Sequence, residues 1–281
     1  MLSYRHAFHA GNHADVLKHF VLAQVLSYFN QKDKPYWYID THAGAGMYAL
    51  DAGYALYNAE FATGIAPLMA ASSLPPALTE FSQLIQSINI GNKLNLYPGS
   101  PAIAEQLIRA DDKMRLFELH PSDCKLLLEN FSGQGRTVKI EMQDGFTSIK
   151  AILPPPTKRA AVLIDPPYEE KHDYQRVVTC IKESLQRFAT GTYMVWYPLL
   201  QRNEPLDMVD KLKKLNFPNW LDVTLTVQRP SVEGFGMFGS GLFIINPPWT
   251  LPNILDDNLP TLVDLLGQDD GADYQLTNQI S

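Results

Sequence analysis

Asp165-Pro166-Pro167-Tyr168 follows directly on the apolar run Ala160-Ala161-Val162-Leu163-Ile164. Such a run reads as a buried strand, and the prolines stop it abruptly. Two successive prolines fix φ, donate no backbone N–H and leave the Pro166 carbonyl as an acceptor that neither a helix nor a strand ladder can use. A carboxylate, a free carbonyl and an aromatic ring therefore arrive together, which makes Asp165, Pro166 and Tyr168 the candidate catalytic residues. Acceptors beside a flat ring form a cradle for an exocyclic amine on a planar base.

A second cluster begins at Asp40-Thr41-His42-Ala43-Gly44-Ala45-Gly46, whose glycines let the backbone approach a ligand closely. Gly44, Gly46 and Ala49 also satisfy the glycine spacing of dinucleotide-binding loops, but that pattern wants an acid ending the next strand about 20 residues on. The acid nearest that place, Glu60, falls in a helical stretch, and the next strand ends at Glu118. A carboxylate there suits both hydroxyls of a ribose, a role shared by nicotinamide cofactors and S-adenosylmethionine. Asp144-Gly145, just after the following strand, offers an acceptor to an adenine amine. Singly, each acid reads equally well as a solvated strand end or a helix cap. Together with Asp165 they read as one site.

The N-terminal region holds His6, His9, His13, His19 and His42, five of the seven histidines. Their spacing matches no familiar metal-ligand pattern and no cysteine lies nearby, so no metal is expected. Asn12 to Leu26 has helical spacing, with Val16, Phe20 and Ala23 on one apolar stripe, and Asp15, Lys18 and His19 fall beside it. A cationic Lys18 there would suit the carboxylate of an amino-acid cofactor.

These residues need a scaffold that brings strand ends together. Trp37–Asp40, Met114–Glu118, Thr137–Ile140, Ala161–Ile164 and Thr192–Trp196 read as buried parallel strands, with helical stretches between them, such as Ser122–Phe131 and Tyr174–Phe188. The alternation predicts an α/β, doubly wound, Rossmann-like sheet, whose ligands bind beyond the carboxyl ends of the strands near the switch in strand order. Trp220–Val227 and Gly241–Ile245 are expected as an antiparallel pair at the sheet edge. Residues 47–100 break the rhythm and read as an inserted helical subdomain without internal strands, within one domain spanning 1–281.

The 281 residues are 46% hydrophobic and 19% charged, the make-up of an ordinary globular chain. The polar N-terminus resembles neither a signal peptide nor an anchor, and no apolar run reaches about 18 residues, so a cytoplasmic protein with no membrane partner is expected. Cys124 and Cys180 are too few for a disulfide framework. The net charge of −7 is concentrated at the end of the chain, where residues 251–281 hold six acids and no Lys or Arg. Charge therefore argues neither for nor against a nucleic-acid partner.

Taken together, Tyr4-Arg5-His6, the segment Phe8-His9-Ala10-Gly11-Asn12-His13-Ala14-Asp15-Val16-Leu17-Lys18-His19, the loop Asp40–Gly46, Tyr97-Pro98-Gly99-Ser100-Pro101, Glu118-Leu119-His120-Pro121 and Asp165–Tyr168 closely resemble the bacterial RlmJ family. Its members are S-adenosylmethionine-dependent methyltransferases of 23S ribosomal RNA that modify adenine at N6. The resemblance implies methyl transfer to adenine 2030 of that RNA, with S-adenosylhomocysteine as by-product and no obligatory protein partner. It implies cofactor contacts from Lys18, His19, His42, Ser100, Glu118, Asp144, Gly145 and Asp165, catalysis at Asp165, and contact with substrate RNA through Tyr4 and His6. Gln143 stands where the family often has alanine, a harmless difference on this reading, and the acidic C-terminal stretch lies outside the pattern.

Asn246-Pro247-Pro248-Trp249 repeats the grammar of the opening motif, since Leu242-Phe243-Ile244-Ile245 feeds an amide, two prolines and an aromatic. Asp165–Tyr168 is preferred because it follows the fourth strand beside the switch point, whereas the copy follows an expected edge strand. The bland reading of the copy is a rigid strand exit that packs Trp249 into the core. Competing functions are a DNA adenine methyltransferase, an NAD-dependent oxidoreductase using Gly44, Gly46 and Ala49, and a catalytically silent RNA-binding module.

Overall fold

The computed structural model describes residues 5–51, 54–91, 93–133, 135 and 137–280, so the expected RNA contact Tyr4 lies outside the described residues. Asn12 caps the first helix, α1 (His13–Asn30), by accepting the Asp15 N–H at 3.0 Å. The helix is buried on almost every side rather than along the single expected stripe. The cause is a double cover: the sheet lies on one side and the 47–100 insertion on the other.

Strand β1 (Trp37–Asp40) leads through the glycine loop into β2 (Met47–Ala49), which opens the insertion. The insertion carries α2 (Tyr54–Asn58), a 3-10 turn at Glu60–Thr63, α3 (Ile65–Ala70) and α4 (Pro76–Ser87), and returns through β3 (Leu96–Pro98). Strands β2 and β3 pair antiparallel, Met47 opposite Pro98, so a short ladder that the sequence reading lacked closes its base. Three-residue strands are too short to show a period.

Five parallel strands follow the prediction within one residue at every boundary but the end of β7, which runs three residues further: β1, then β4 (Lys113–Phe117), β5 (Val138–Glu141), β6 (Ala160–Ile164) and β7 (Thr192–Leu199). Between them lie α5 (Ser100–Leu107), α6 (Pro121–Asn130), α7 (Gly145–Ile152) and α8 (His172–Arg187), and α9 (Glu204–Lys213) precedes β8 (Trp220–Thr226). The chain ends with β9 (Gly239–Ile245), α10 (Leu251–Leu266) and β10 (Asp273–Gln279). The eight-stranded mixed sheet runs β10-β8-β9-β7-β6-β1-β4-β5. Strand β6 is buried on both faces: Ala161 and Leu163 pack with α1, α5 and α10, while Val162 and Ile164 pack with α7 and α8. This two-sided burial explains its unbroken apolar run.

Two expectations about the far side of the sheet need correction. Strand β9 is no edge: it lies between β7 and β8, antiparallel to both, and every residue in it is buried. The edge is β10, paired antiparallel to β8, so the acidic C-terminal stretch is a helix and a strand of the fold.

Candidate active site

A cleft of about 390 Å³ opens beyond the carboxyl ends of β1, β4, β5 and β6, on both sides of the point where strand order reverses. It is lined by Lys18, His19, His42, Ser100, Glu118, Asp144, Gly145, Asp165 and Pro166, which brings together every described residue expected to bind the cofactor. His6 lines it too. A second cavity of about 230 Å³ shares His6, Lys18, Asp165 and Pro167 with the first and is otherwise walled by residues including Tyr168, Trp196, Pro198, Arg202 and Met237. Asp165 thus stands in the partition between two chambers.

The partition is an ion-pair chain. Lys18 Nζ lies 2.6 Å from Asp165 Oδ2 and 2.9 Å from Asp15 Oδ1. Asp15 Oδ2 accepts the Gly11 N–H at 2.9 Å and meets His6 Nε2 at 2.9 Å. Burial works against charge on both Lys18 and Asp15, but their neighbours prevail: the two carboxylates hold the Lys18 ammonium above its usual range, and His6 and Lys18 hold Asp15 well below its own. Lys18 was expected to face a cofactor carboxylate; here its charge is matched by two aspartates. Asp165 Oδ1 has no hydrogen-bond partner among the described residues, which leaves it as an acceptor on a residue that lines both chambers.

The glycine loop is fixed by the acid after β4. Glu118 Oε2 accepts the Gly44 N–H at 2.8 Å and Oε1 the His120 N–H at 2.7 Å, while burial holds the carboxyl above its usual range. Gly46 leads into strand β2, so the dinucleotide-type spacing lacks the helix it requires. Glu60 is committed elsewhere, to His9 at 2.8 Å and Asn12 at 2.9 Å. These bonds tie the insertion to the N-terminal segment. Gly64 completes the joint, since a Cβ there would stand 2.1 Å from the Gly11 carbonyl oxygen.

Asp144 is a helix cap as well as a cleft residue. Its Oδ1 accepts the Phe146 N–H at 3.0 Å, while its Oδ2 takes both Arg176 at 2.5 Å and the Thr147 hydroxyl at 3.3 Å, so Oδ1 is the oxygen that keeps capacity for one more bond. Gly145 packs so closely that a Cβ would meet the Thr41 carbonyl oxygen at 2.0 Å. Beneath the cleft, buried Asp40 accepts from Tyr38 Oη and Ser100 Oγ, both at 2.7 Å, and from the His42 N–H at 3.2 Å. Asp40, counted among the strand-end acids, therefore props the floor. Burial lowers His42 to about 4 and His19 to about 3, so both imidazoles are neutral near pH 7.

Tyr168 departs from the simplest expectation. It is 3% exposed, with φ +51°, and its hydroxyl donates to the Trp196 carbonyl at 2.6 Å. One ring face stacks on Tyr174 at 4.5 Å, so only the other face and the edge are left to the second chamber. Residues that sequence reasoning passed over include Arg176, Arg202 and Met237. No spacing signal links them to the strand ends, because they arrive from a helix, a loop and an antiparallel hairpin.

The copy at Asn246 lies at the opposite end of the sheet. Because β9 is antiparallel to β7, with Ile245 opposite Tyr193, its exit emerges beside the start of β7. Asn246 Nδ2 donates to the Ala189 and Gly191 carbonyls, both at 2.8 Å, which occupies the amide structurally. Trp249 is 68% exposed and so does not fill the core as the bland reading supposed. Strand direction, and not edge position, separates the two motifs.

Comparison with known proteins agrees with this geometry. The family model described as ribosomal RNA large subunit methyltransferase D, RlmJ, matches residues 33–277. The chain is 45% identical over 262 residues to ribosomal RNA large subunit methyltransferase J of Escherichia coli (strain K12), covering 93% of each chain. It is 44% identical over 267 residues to the protein of the same name from Haemophilus influenzae, covering 95% of this chain and 94% of that one. Among solved structures, protein LPL1258 from Legionella pneumophila has a TM-score of 0.89 at 34% identity, covering 96% of this chain and 98% of the other. A probable spermidine synthase from Corynebacterium glutamicum shares the fold alone, with a TM-score of 0.51 at 10% identity over 94% of this chain and 75% of that one. The resemblance carried by the N-terminal segment and the Asp-Pro-Pro-Tyr motif is thus matched along nearly the whole chain, which belongs to the RlmJ family of ribosomal RNA large subunit methyltransferases.

Proposed function

We propose that the protein transfers a methyl group from S-adenosylmethionine to the exocyclic N6 of a flipped-out or unpaired adenine in 23S ribosomal RNA. The observation that carries this reading is the position of Asp165 between two chambers, one fit for the methyl donor and one for the base, with Pro166 lining the first. The cleft has the size of a ligand site. Seven carboxylates and two fixed cations, Lys18 and Arg176, line it, a balance that suits a cationic sulfonium. On this reading Glu118 takes the ribose hydroxyls, Asp144 the adenine amine, and Ser100, His19 and His42 the remaining polar groups. When bound, S-adenosylmethionine supplies an electrophilic methyl group.

The residues around the partition then account for the chemistry. An adenine N6 lone pair is delocalised into the ring, and the amine becomes nucleophilic only as its geometry bends towards tetrahedral. Asp165 Oδ1 and the Pro166 carbonyl accept its two N–H groups and favour the bent form, and Asp165 is the station for the proton that N6 sheds. Lys18 fixes the aspartate by holding Oδ2 at 2.6 Å, so the acceptor is in place before the base arrives. Tyr168, Trp196 and Met237 offer apolar and aromatic surface to the base, and His6, on both chambers, closes the near side. Tyr4 is assigned to the RNA on family grounds.

Incubation of the protein with unmodified 23S ribosomal RNA and methyl-labelled S-adenosylmethionine, followed by mapping of the labelled nucleoside, tests the proposal. N6-methyladenine at one site, position 2030 on the family reading, is expected, and duplex DNA in parallel should stay unlabelled. A labelled nucleoside other than N6-methyladenine, or preferential labelling of DNA, would overturn it.

A further inference from the structure

One cation of the second chamber has no use in the reaction described above. Arg202, in the loop after β7, lines the chamber and forms no ion pair among the described residues. The acid nearest in sequence, Glu204, pairs instead with Lys171 at 2.5 Å. Lys18, the other fixed cation of this chamber, is committed to Asp15 and Asp165. The Arg202 Nε is buried without a hydrogen-bond partner among the described residues. A buried donor left unpaired carries a desolvation cost, so its persistence in a cavity wall points to a ligand that completes it.

The guanidinium is also held in place. Its Nη2 donates to Tyr174 Oη at 3.1 Å, and Tyr174 stacks on Tyr168, the ring of the Asp-Pro-Pro-Tyr motif. A chain of contacts therefore runs from the catalytic strand exit to Arg202. Pro198, Leu200 and Met237, which line the same chamber, are apolar.

We propose that Arg202 binds the backbone phosphate of the nucleotide whose adenine enters the second chamber. The proposal rests on the reading of that chamber as the base site. A flipped nucleotide carries its phosphate to the chamber mouth, and that phosphate is its one anionic group. The planar fork of a guanidinium, already oriented by Tyr174, matches phosphate oxygens bidentately, which an ammonium does not. Arg202 is thus a substrate-positioning residue that acts on RNA and not on the methyl donor.

The test compares wild type, Arg202→Ala and Arg202→Lys with unmodified 23S ribosomal RNA, measuring kcat, KM, RNA affinity across a salt series, and S-adenosylhomocysteine affinity. Arg202→Ala is expected to raise KM for RNA about tenfold, with kcat little changed, and to reduce the slope of log affinity against log salt by about 0.7–0.9, the loss of one phosphate contact. Arg202→Lys should recover the slope but not the full affinity. An unchanged KM and salt slope in Arg202→Ala would overturn the proposal, as would an equal loss of S-adenosylhomocysteine affinity, which marks a structural prop. The salt series reads RNA binding without turnover, so it decides the role of Arg202 even if the methylated base proves to be other than N6-methyladenine.

Discussion

Asp165-Pro166-Pro167-Tyr168 and Asn246-Pro247-Pro248-Trp249 are two strand exits with one grammar and opposite fates. Strand β6 runs parallel to the strands around it and delivers its exit to the cleft, while β9 runs antiparallel to β7 and delivers its exit to the other end of the sheet. At the first exit the polar side chain is held by a buried cation and keeps one oxygen for a ligand; at the second the amide is spent on two backbone carbonyls. The first buries its aromatic ring and the second exposes it, with Tyr168 at 3% and Trp249 at 68%. A short motif therefore carries the means for chemistry, and strand direction decides whether the means are used.

The largest test of this contrast is Asp165→Ala, for which a fall in kcat of about 10²–10⁴-fold is expected, with S-adenosylhomocysteine still bound. Methyl-transfer assays would break the comparison if Asn246→Ala matched that loss. Lys18→Met should come next in effect. It leaves Asp15 and Asp165 facing each other without their shared cation, and denaturant unfolding should show about 3–5 kcal/mol of lost stability. Asn246→Ala leaves the Ala189 and Gly191 carbonyls without their donor, which should cost about 1–3 kcal/mol in the same assay at near-normal kcat. Trp249→Ser is expected to shift stability by no more than about 0.5 kcal/mol, as for an exposed surface position. A larger loss would show that the second exit uses its aromatic after all.

The sequence made the active end of the sheet legible because buried parallel strands are long apolar runs, and each ends in a residue unlike the run before it. Asp40, Glu118 and Asp165 stand out for that reason, and Asp144 follows within a few residues of β5. The far end of the sheet was harder to read. Strand β10 is Asp-Tyr-Gln-Leu-Thr-Asn-Gln, polar because it forms the edge, so it leaves no apolar signal. The Lys18–Asp165 pair joins residues 147 apart, and only the assembled fold shows that the lysine meets the carboxylate at the end of β6. Periodicity placed Lys18 on a helix face but could not say that the insertion would cover that helix from outside. The Arg202–Tyr174–Tyr168 chain was hidden for a similar reason, since it joins a loop, a helix and a strand exit through side chains alone.

The threading of β9 between β7 and β8 bears on how the molecule comes into being. As the chain emerges from synthesis, β8 is complete well before β9, yet the final sheet requires β9 to lie between β8 and β7. Until residues 239–245 are available, β7 has an unsatisfied flank and the chamber walled by Trp196 and Met237 cannot close. A product truncated after β8 would present that open flank to other chains, an invitation to aggregate. The same late insertion ensures that this second chamber closes only after most of the polypeptide has been made.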